Sequence, residues 1–153
     1  MKYRVFVFED NEEFRSVVEH LLSSLGFEVL GFPEPSLCPI YLGEGQRCPH
    51  EHACGDFLLT DNQMPRVTGL KLVEHQSRGG CKGMVRNKAI LSAAFTPEEV
   101  ERAQRLGCKV FEKPPDFDEL LRWIEEGKAH IDPGRRLEDL PEELLRPLPS
   151  PPG

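Results

Sequence analysis

Residues 60–70 read TDNQMPRVTGL, and they follow on an apolar run, DFLLTD (56–61), that ends in an acid. An unbroken apolar run without polar alternation marks a strand buried on both faces, which is the habit of parallel sheets covered by helices. The Met64-Pro65 turn and the glycine at 69 then break the strand pattern before the next element. Outward from this stretch the same grammar repeats. YRVFVF (3–8) is interrupted only by Arg4 and ends in Glu9 and Asp10, after which Phe14, Val17, Val18, Leu21, Leu22 and Leu25 recur at helical spacing up to Gly26. FEVLGF (27–32), KAILSAAF (88–95) and KVFEKP (109–114) supply three more strand-like runs. TPEEVERAQRLG starts with Thr96 as cap, Pro97 at the first helical position and Glu99 three after the cap, and stops at Gly107. A last helix starts at Asp116, carries Phe117, Leu120, Leu121 and Ile124 on one face, and ends near Gly127. Five strands alternating with helices predict an α/β fold with a five-stranded parallel, doubly wound sheet. The second helical region is irregular, because residues 33–55 hold several prolines and glycines where a helical period should run.

The chain has 153 residues, 39% hydrophobic and 29% charged, the size of one ordinary domain with enough apolar material for a core. Its formal net charge of -7 gives no general attraction to phosphate backbones or anionic lipid, so neither direct nucleic-acid binding nor a membrane role is expected. No apolar run approaches the ~20 residues of a membrane span, and the chain turns acidic at residue 9, where a signal peptide needs its apolar region. A cytoplasmic location is expected. Five cysteines make an odd number, which favours metal binding or reactivity over a disulfide framework in a reducing compartment.

Four strand ends carry residues useful to one reaction: Glu9 and Asp10 after the first, Asp61 on the third, Ser92 on the fourth, Lys113 on the fifth. In open α/β sheets the carboxyl ends of the strands are where ligands bind. Three carboxylates brought together repel one another unless a hard divalent cation such as Mg²⁺ lies between them. One ionised carboxylate can then attack a phosphoryl group, while metal, lysine ammonium and a small hydroxyl neutralise the equatorial oxygens. Taken singly, acids at a helix start complement its dipole, Lys113 is a surface lysine and Ser92 a buried small residue. Only their joint placement points to chemistry.

With an acid pair after the first strand, an Asp followed by Met-Pro and Gly, a Ser after the fourth strand and Lys-Pro after the fifth, the sequence resembles the receiver domain of two-component response regulators. The resemblance covers residues 2 to about 127 and is to the single-domain type, similar to the chemotaxis response regulator. It implies a flavodoxin-like receiver fold with strand order 2-1-3-4-5. It also implies that Asp61 accepts a phosphoryl group from a sensor histidine kinase or phosphotransfer protein. Glu9, Asp10, Asp61 and the backbone carbonyl of Gln63 would hold Mg²⁺, with Ser92 and Lys113 on the phosphoryl oxygens. By the same resemblance the protein is a phosphoacceptor that at most phosphorylates and slowly dephosphorylates itself, rather than an enzyme acting on other molecules. Two departures stand out. The family's aromatic three residues before the lysine is Val110 here, with Phe111 facing the other side of the strand, and Lys-Pro-Pro replaces the commoner Lys-Pro-Phe.

Cys38, Cys48, His50, His52 and Cys54 fall within 17 residues, and Cys81 follows in RGGCKG. Cys54 precedes the third strand and Cys81 follows the helix that this strand feeds, so both belong at the amino-terminal edge of the sheet. A zinc site from Cys38, Cys48, Cys54 and Cys81, with His50 or His52 replacing one ligand, is one reading. Ordinary thiols and solvated histidines is the other.

The receiver domain is expected over 1–127, with a Cys/His-rich insertion at 33–55. Residues 128–153 are expected to form a Pro-rich tail, mostly disordered and too poor in apolar residues for an output module, the alternative being a short helical turn or two in EDLPEELLRPL (138–148) docking on the domain or on a partner. A stand-alone receiver in a two-component phosphorelay must signal by binding a downstream protein. Two other functions compete: a metal or redox sensor built on the receiver scaffold with the cysteines, and a hydrolase with an aspartate nucleophile. The hydrolase wants an acid two residues after its nucleophile, where this chain has Gln63.

Overall fold

The computed structural model of the chain describes residues 2–37 and 45–141. Five strands and four α-helices are found there: β1 (Arg4–Phe8), α1 (Glu12–Ser24), β2 (Glu28–Phe32), β3 (Phe57–Asp61), α2 (Gly69–Arg78), β4 (Lys88–Ser92), α3 (Pro97–Leu106), β5 (Lys109–Glu112) and α4 (Phe117–Lys128). Every pairing is parallel and the order is β2-β1-β3-β4-β5. Because the strands share one direction, all five carboxyl ends emerge at the same edge. Register places Phe8 beside Thr60, Asp61 beside Leu91 and Ser92 beside Glu112.

Alternation along each strand feeds two apolar layers. Val5, Val7, Leu59, Leu91 and Phe111 pack with Val18 and Leu22 of α1 and Leu120 and Ile124 of α4. Phe6, Phe8, Leu58 and Ile90 pack with Leu70, Leu72 and Val73 of α2 and Ala103 of α3. Trp123 closes the first layer, meeting Phe57 and Phe111 edge-on at 5.9 and 5.8 Å between ring centroids, an arrangement that the ring quadrupoles favour. Local signals fix the helix starts. Asn11, Thr68, Thr96 and Asp116 each accept a backbone N–H with their side chains, and Thr96 and Glu99 complete a capping box.

The crossover from β2 to β3 departs from the alternation. Among the described residues it holds one 3₁₀ turn, Pro35–Leu37, followed by irregular chain from 45 to 56. Its prolines and glycines cannot sustain a helical ladder. A loop therefore covers Phe6, Phe8 and Leu58 where a helix would, and it leaves a cavity of about 90 Å³ between itself and the sheet.

Residues 131–140 differ from the expected disordered tail. They carry no helix or strand, yet Ile131 is buried in the first layer and Leu140 in the second, so this segment crosses the amino-terminal edge of the sheet. Charge fixes the crossing. Arg135 forms a two-pronged ion pair with buried Asp56, its Nε donating at 2.7 Å. Arg4 Nη1 donates to the carbonyls of Cys54 and Glu138 at 2.8 and 3.0 Å. Ile131 and Leu140 stand nine residues apart, enough to span the edge in extended chain. The rest of the tail, 142–153, lies outside the described residues.

Candidate functional site

Asp61 ends β3 and is 5% exposed; Glu9 follows β1 and is 3% exposed; Asp10, beside it, faces solvent. Oxygens of the three carboxylates lie within 4.8 Å of one another, and among the described residues no other group of three metal-ligating side chains converges so closely. The sheet ladder extends one residue past its strands to hold them: Glu9 N–H donates to Phe32 O at 3.0 Å, and Asn62 N–H to Leu91 O at 2.8 Å. Lys113, just past β5, is carried in the same way by its N–H on Ser92 O at 3.0 Å.

Lys113 Nζ forms an ion pair with Glu9 Oε1 and stands 3.6 Å from Asp61 Oδ1. It also lies over the ring of Phe14 at 4.8 Å, so α1 helps to aim it. One ammonium does not balance three acids. Burial, the negative charge of Glu9 and shared protons with Glu9 and Asp10 push the Asp61 carboxyl from 3.8 up to about 7, against the lowering pull of Lys113. A hard dication would relieve that strain, and an all-carboxylate donor set open to solvent at Asp10 suits Mg²⁺, which retains waters.

The other predicted residues occupy the same edge in different ways. Ser92 is fully buried at the end of β4; its Oγ donates to Ala94 O and accepts from Ala94 N, both at 3.2 Å. Its hydroxyl is engaged with its own turn rather than with Asp61, and must rotate to meet a ligand. Gln63 is exposed in the loop two residues beyond Asp61. Val110 belongs to the layer of α2 and α3, whereas Phe111 is buried in the opposite layer against Trp123, so no aromatic of β5 lies on the α3 side.

Two further residues support the site. Asn62 is buried; its Oδ1 accepts the N–H of Leu70 at 3.1 Å and its Nδ2 donates to Glu99 at 2.7 Å, tying the loop after Asp61 to both α2 and α3. Gly69 presses on the Asp61 backbone, since a Cβ there would stand 2.5 Å from the Asp61 carbonyl oxygen. The glycine of the Met-Pro-x-x-x-Gly stretch was a visible signal; nothing in the sequence marked Asn62.

Cys48, Cys54 and Cys81 line the cavity beneath the irregular crossover, at the opposite edge from Asp61, together with His50. No three of their donor atoms come within 4.8 Å of one another among the described residues. Cys38 lies outside the described residues. Cys108 is buried in the apolar second layer, which pushes its thiol up to about 11.

No protein-family model matches the sequence, and no curated protein matches it. Solved structures do. A response regulator receiver protein from Pseudomonas putida superimposes with a TM-score of 0.68 at 22% identity, covering 82% of this chain and 98% of that one. FixJ-N gives 0.63 at 20% identity over 86% of this chain and 98% of that one. Response regulator StyR is 30% identical, with a TM-score of 0.62 over 83% of this chain and 59% of that one. The chain has the receiver fold and resembles response regulator receiver domains.

Proposed function

We propose that this protein is a phosphoacceptor of a two-component relay, taking a phosphoryl group on Asp61 in a Mg²⁺-dependent reaction and signalling by binding a downstream protein. The observation that carries the reading is the convergence of Glu9, Asp10 and Asp61 within 4.8 Å, with Lys113 Nζ 3.6 Å from Asp61. An Asp61 oxygen attacks the phosphorus of a phosphohistidine on a histidine kinase or phosphotransfer protein. The P–N bond breaks and the imidazole leaves, taking up a proton. Glu9, Asp10, Asp61 and the carbonyl of Gln63 would hold Mg²⁺, which when bound neutralises phosphoryl oxygens and lowers the cost of ionising Asp61. Lys113 supplies a fixed positive charge for the developing charge on the phosphoryl group, and Ser92 supplies a hydroxyl after rotating from Ala94. No base is required, because the nucleophile is an ionised carboxylate.

The readout is a change of binding surface near Ser92 and β5. With Val110 on the α3 side of β5, movement of Ser92 is relayed by aliphatic packing and backbone instead of by an inward-swinging aromatic. No helix among the described residues is long and apolar enough to cross a membrane. The net charge of -7 gives nucleic acid no electrostatic welcome. The test is direct: incubate the protein with Mg²⁺ and acetyl phosphate, then measure intact mass. One phosphoryl per chain in the wild type and none in Asp61→Asn supports the reading, whereas uptake surviving in Asp61→Asn refutes it.

A further inference from the structure

The cavity under the irregular crossover is lined by a soft donor set drawn from three separate places in the chain. Cys48 and His50 come from the loop, Cys54 from the approach to β3, and Cys81 from the turn after α2. Their chemistry is unlike that of the acidic site, because thiol and imidazole select zinc-like ions over Mg²⁺.

Lys88, the first residue of β4, is 6% exposed and turns into this cavity. Its Nζ donates to Gln76 Oε1 at 2.7 Å and to Cys81 Sγ at 3.4 Å, and among the described residues it makes no ion pair with a carboxylate. A buried ammonium without an anion is electrostatically incomplete. Zinc held by three thiolates and one imidazole carries a net charge of -1, which Lys88 complements while donating to a ligating sulfur. His50 stands beside the docked tail: its Nδ1 lies 3.7 Å from Oε1 of Glu138, close enough for a small shift to complete the carboxylate–histidine–metal pattern of zinc proteins. Finally, the loop is tethered but unframed. Cys48 N–H donates to Gly79 O at 2.7 Å, His52 N–H to Glu138 Oε2 at 3.1 Å, and 45–54 holds no helix or strand.

From this juxtaposition we infer that Cys48, Cys54, Cys81 and His50 Nε2 form a zinc site that closes on metal binding and clamps the loop and the tail onto the sheet. No three of the donors lie within 4.8 Å of one another, whereas sulfurs around tetrahedral zinc are about 3.8 Å apart for Zn–S bonds near 2.3 Å, so the site is not preformed. Closure draws the loop into the cavity, and the three thiols release their protons to solvent as the Zn–S bonds form. With all four positions filled by protein the site is structural, placed at the edge of the sheet away from Asp61. It therefore stands apart from the phosphoacceptor reading.

Cobalt(II) tests this without reference to phosphorylation. Titrated into metal-free, reduced full-length protein in the presence of excess Mg²⁺, Co²⁺ should give strong thiolate-to-metal absorption and tetrahedral visible bands, saturating at one per chain and displaced by Zn²⁺. Cys81→Ser and Cys54→Ser should each lose the tetrahedral spectrum, with folding checked by far-UV circular dichroism. His50→Ala should retain sulfur absorption but change the visible bands, and Glu138→Gln should weaken binding about tenfold. Asp61→Asn should bind cobalt as the wild type does, so failure of the phosphorylation reading would leave this result intact. Absence of thiolate absorption in the wild type overturns the site. A spectrum unchanged in both Cys81→Ser and Cys54→Ser overturns it equally, and one unchanged in His50→Ala removes His50 from the ligand set.

Discussion

Replacing Asp61 with asparagine should make the metal-free protein more stable at pH 8, and by well under half as much at pH 5. In the folded chain the Asp61 carboxyl titrates at about 7, against 3.8 in the absence of its surroundings. A carboxyl with a raised folded pKa binds more protons folded than unfolded, so stability falls as pH rises through this window and levels off above about 7. At about 1.4 kcal/mol per pH unit, the full window corresponds to roughly 4 kcal/mol. Relaxation of the site and entry of water screen the repulsion, so we expect about 2 kcal/mol at pH 8. Urea denaturation in EDTA at both pH values, for wild type and Asp61→Asn, measures it. Adding Mg²⁺ at a hundred times its dissociation constant should stabilise the wild type by about 2.7 kcal/mol and erase the advantage of the variant. An Asp61→Asn protein that is no more stable than wild type at pH 8, or whose advantage is the same at pH 5, would refute the claim that repulsion dominates the unliganded site.

Other perturbations read other parts of the structure. Lys113→Ala leaves the buried Glu9 carboxylate without its ion-pair partner; metal-free stability at pH 7.5 should fall by about 3 kcal/mol, and the rate of uptake from acetyl phosphate should drop while Mg²⁺ affinity is kept. Glu9→Gln combined with Asp10→Asn should abolish Mg²⁺-dependent uptake, as followed by intact mass. Leu140→Ala should cost about 2–3 kcal/mol in urea denaturation, since Leu140 is a buried member of the second layer rather than part of a free tail; no measurable change would return residues 131–140 to the disordered reading. Gly69→Ala should destabilise the fold and slow phosphoryl uptake together, because the new Cβ meets the Asp61 carbonyl oxygen at 2.5 Å.

The strands, the helix starts at Thr96 and Asp116 and the residues at the strand ends were legible without coordinates because they are local or periodic properties. An apolar run such as YRVFVF has one low-energy home, between two layers. Thr96-Pro97 with Glu99 specifies a helix start through contacts three residues long. Parallel strands leave their carboxyl ends at one edge whatever the details, so Glu9, Asp10, Asp61, Ser92 and Lys113 could be gathered on topology alone. Tertiary structure decided what depends on distance between remote segments. That Lys113 pairs with Glu9 across 104 residues, that Ser92 is occupied by Ala94, and that Asn62 ties two helices together follow from packing, which pattern does not encode. Residues 131–140 show the difference most plainly: no helical or strand period runs through them, but only the buried charge of Asp56 and the open layer edges give Arg135, Ile131 and Leu140 somewhere to bind.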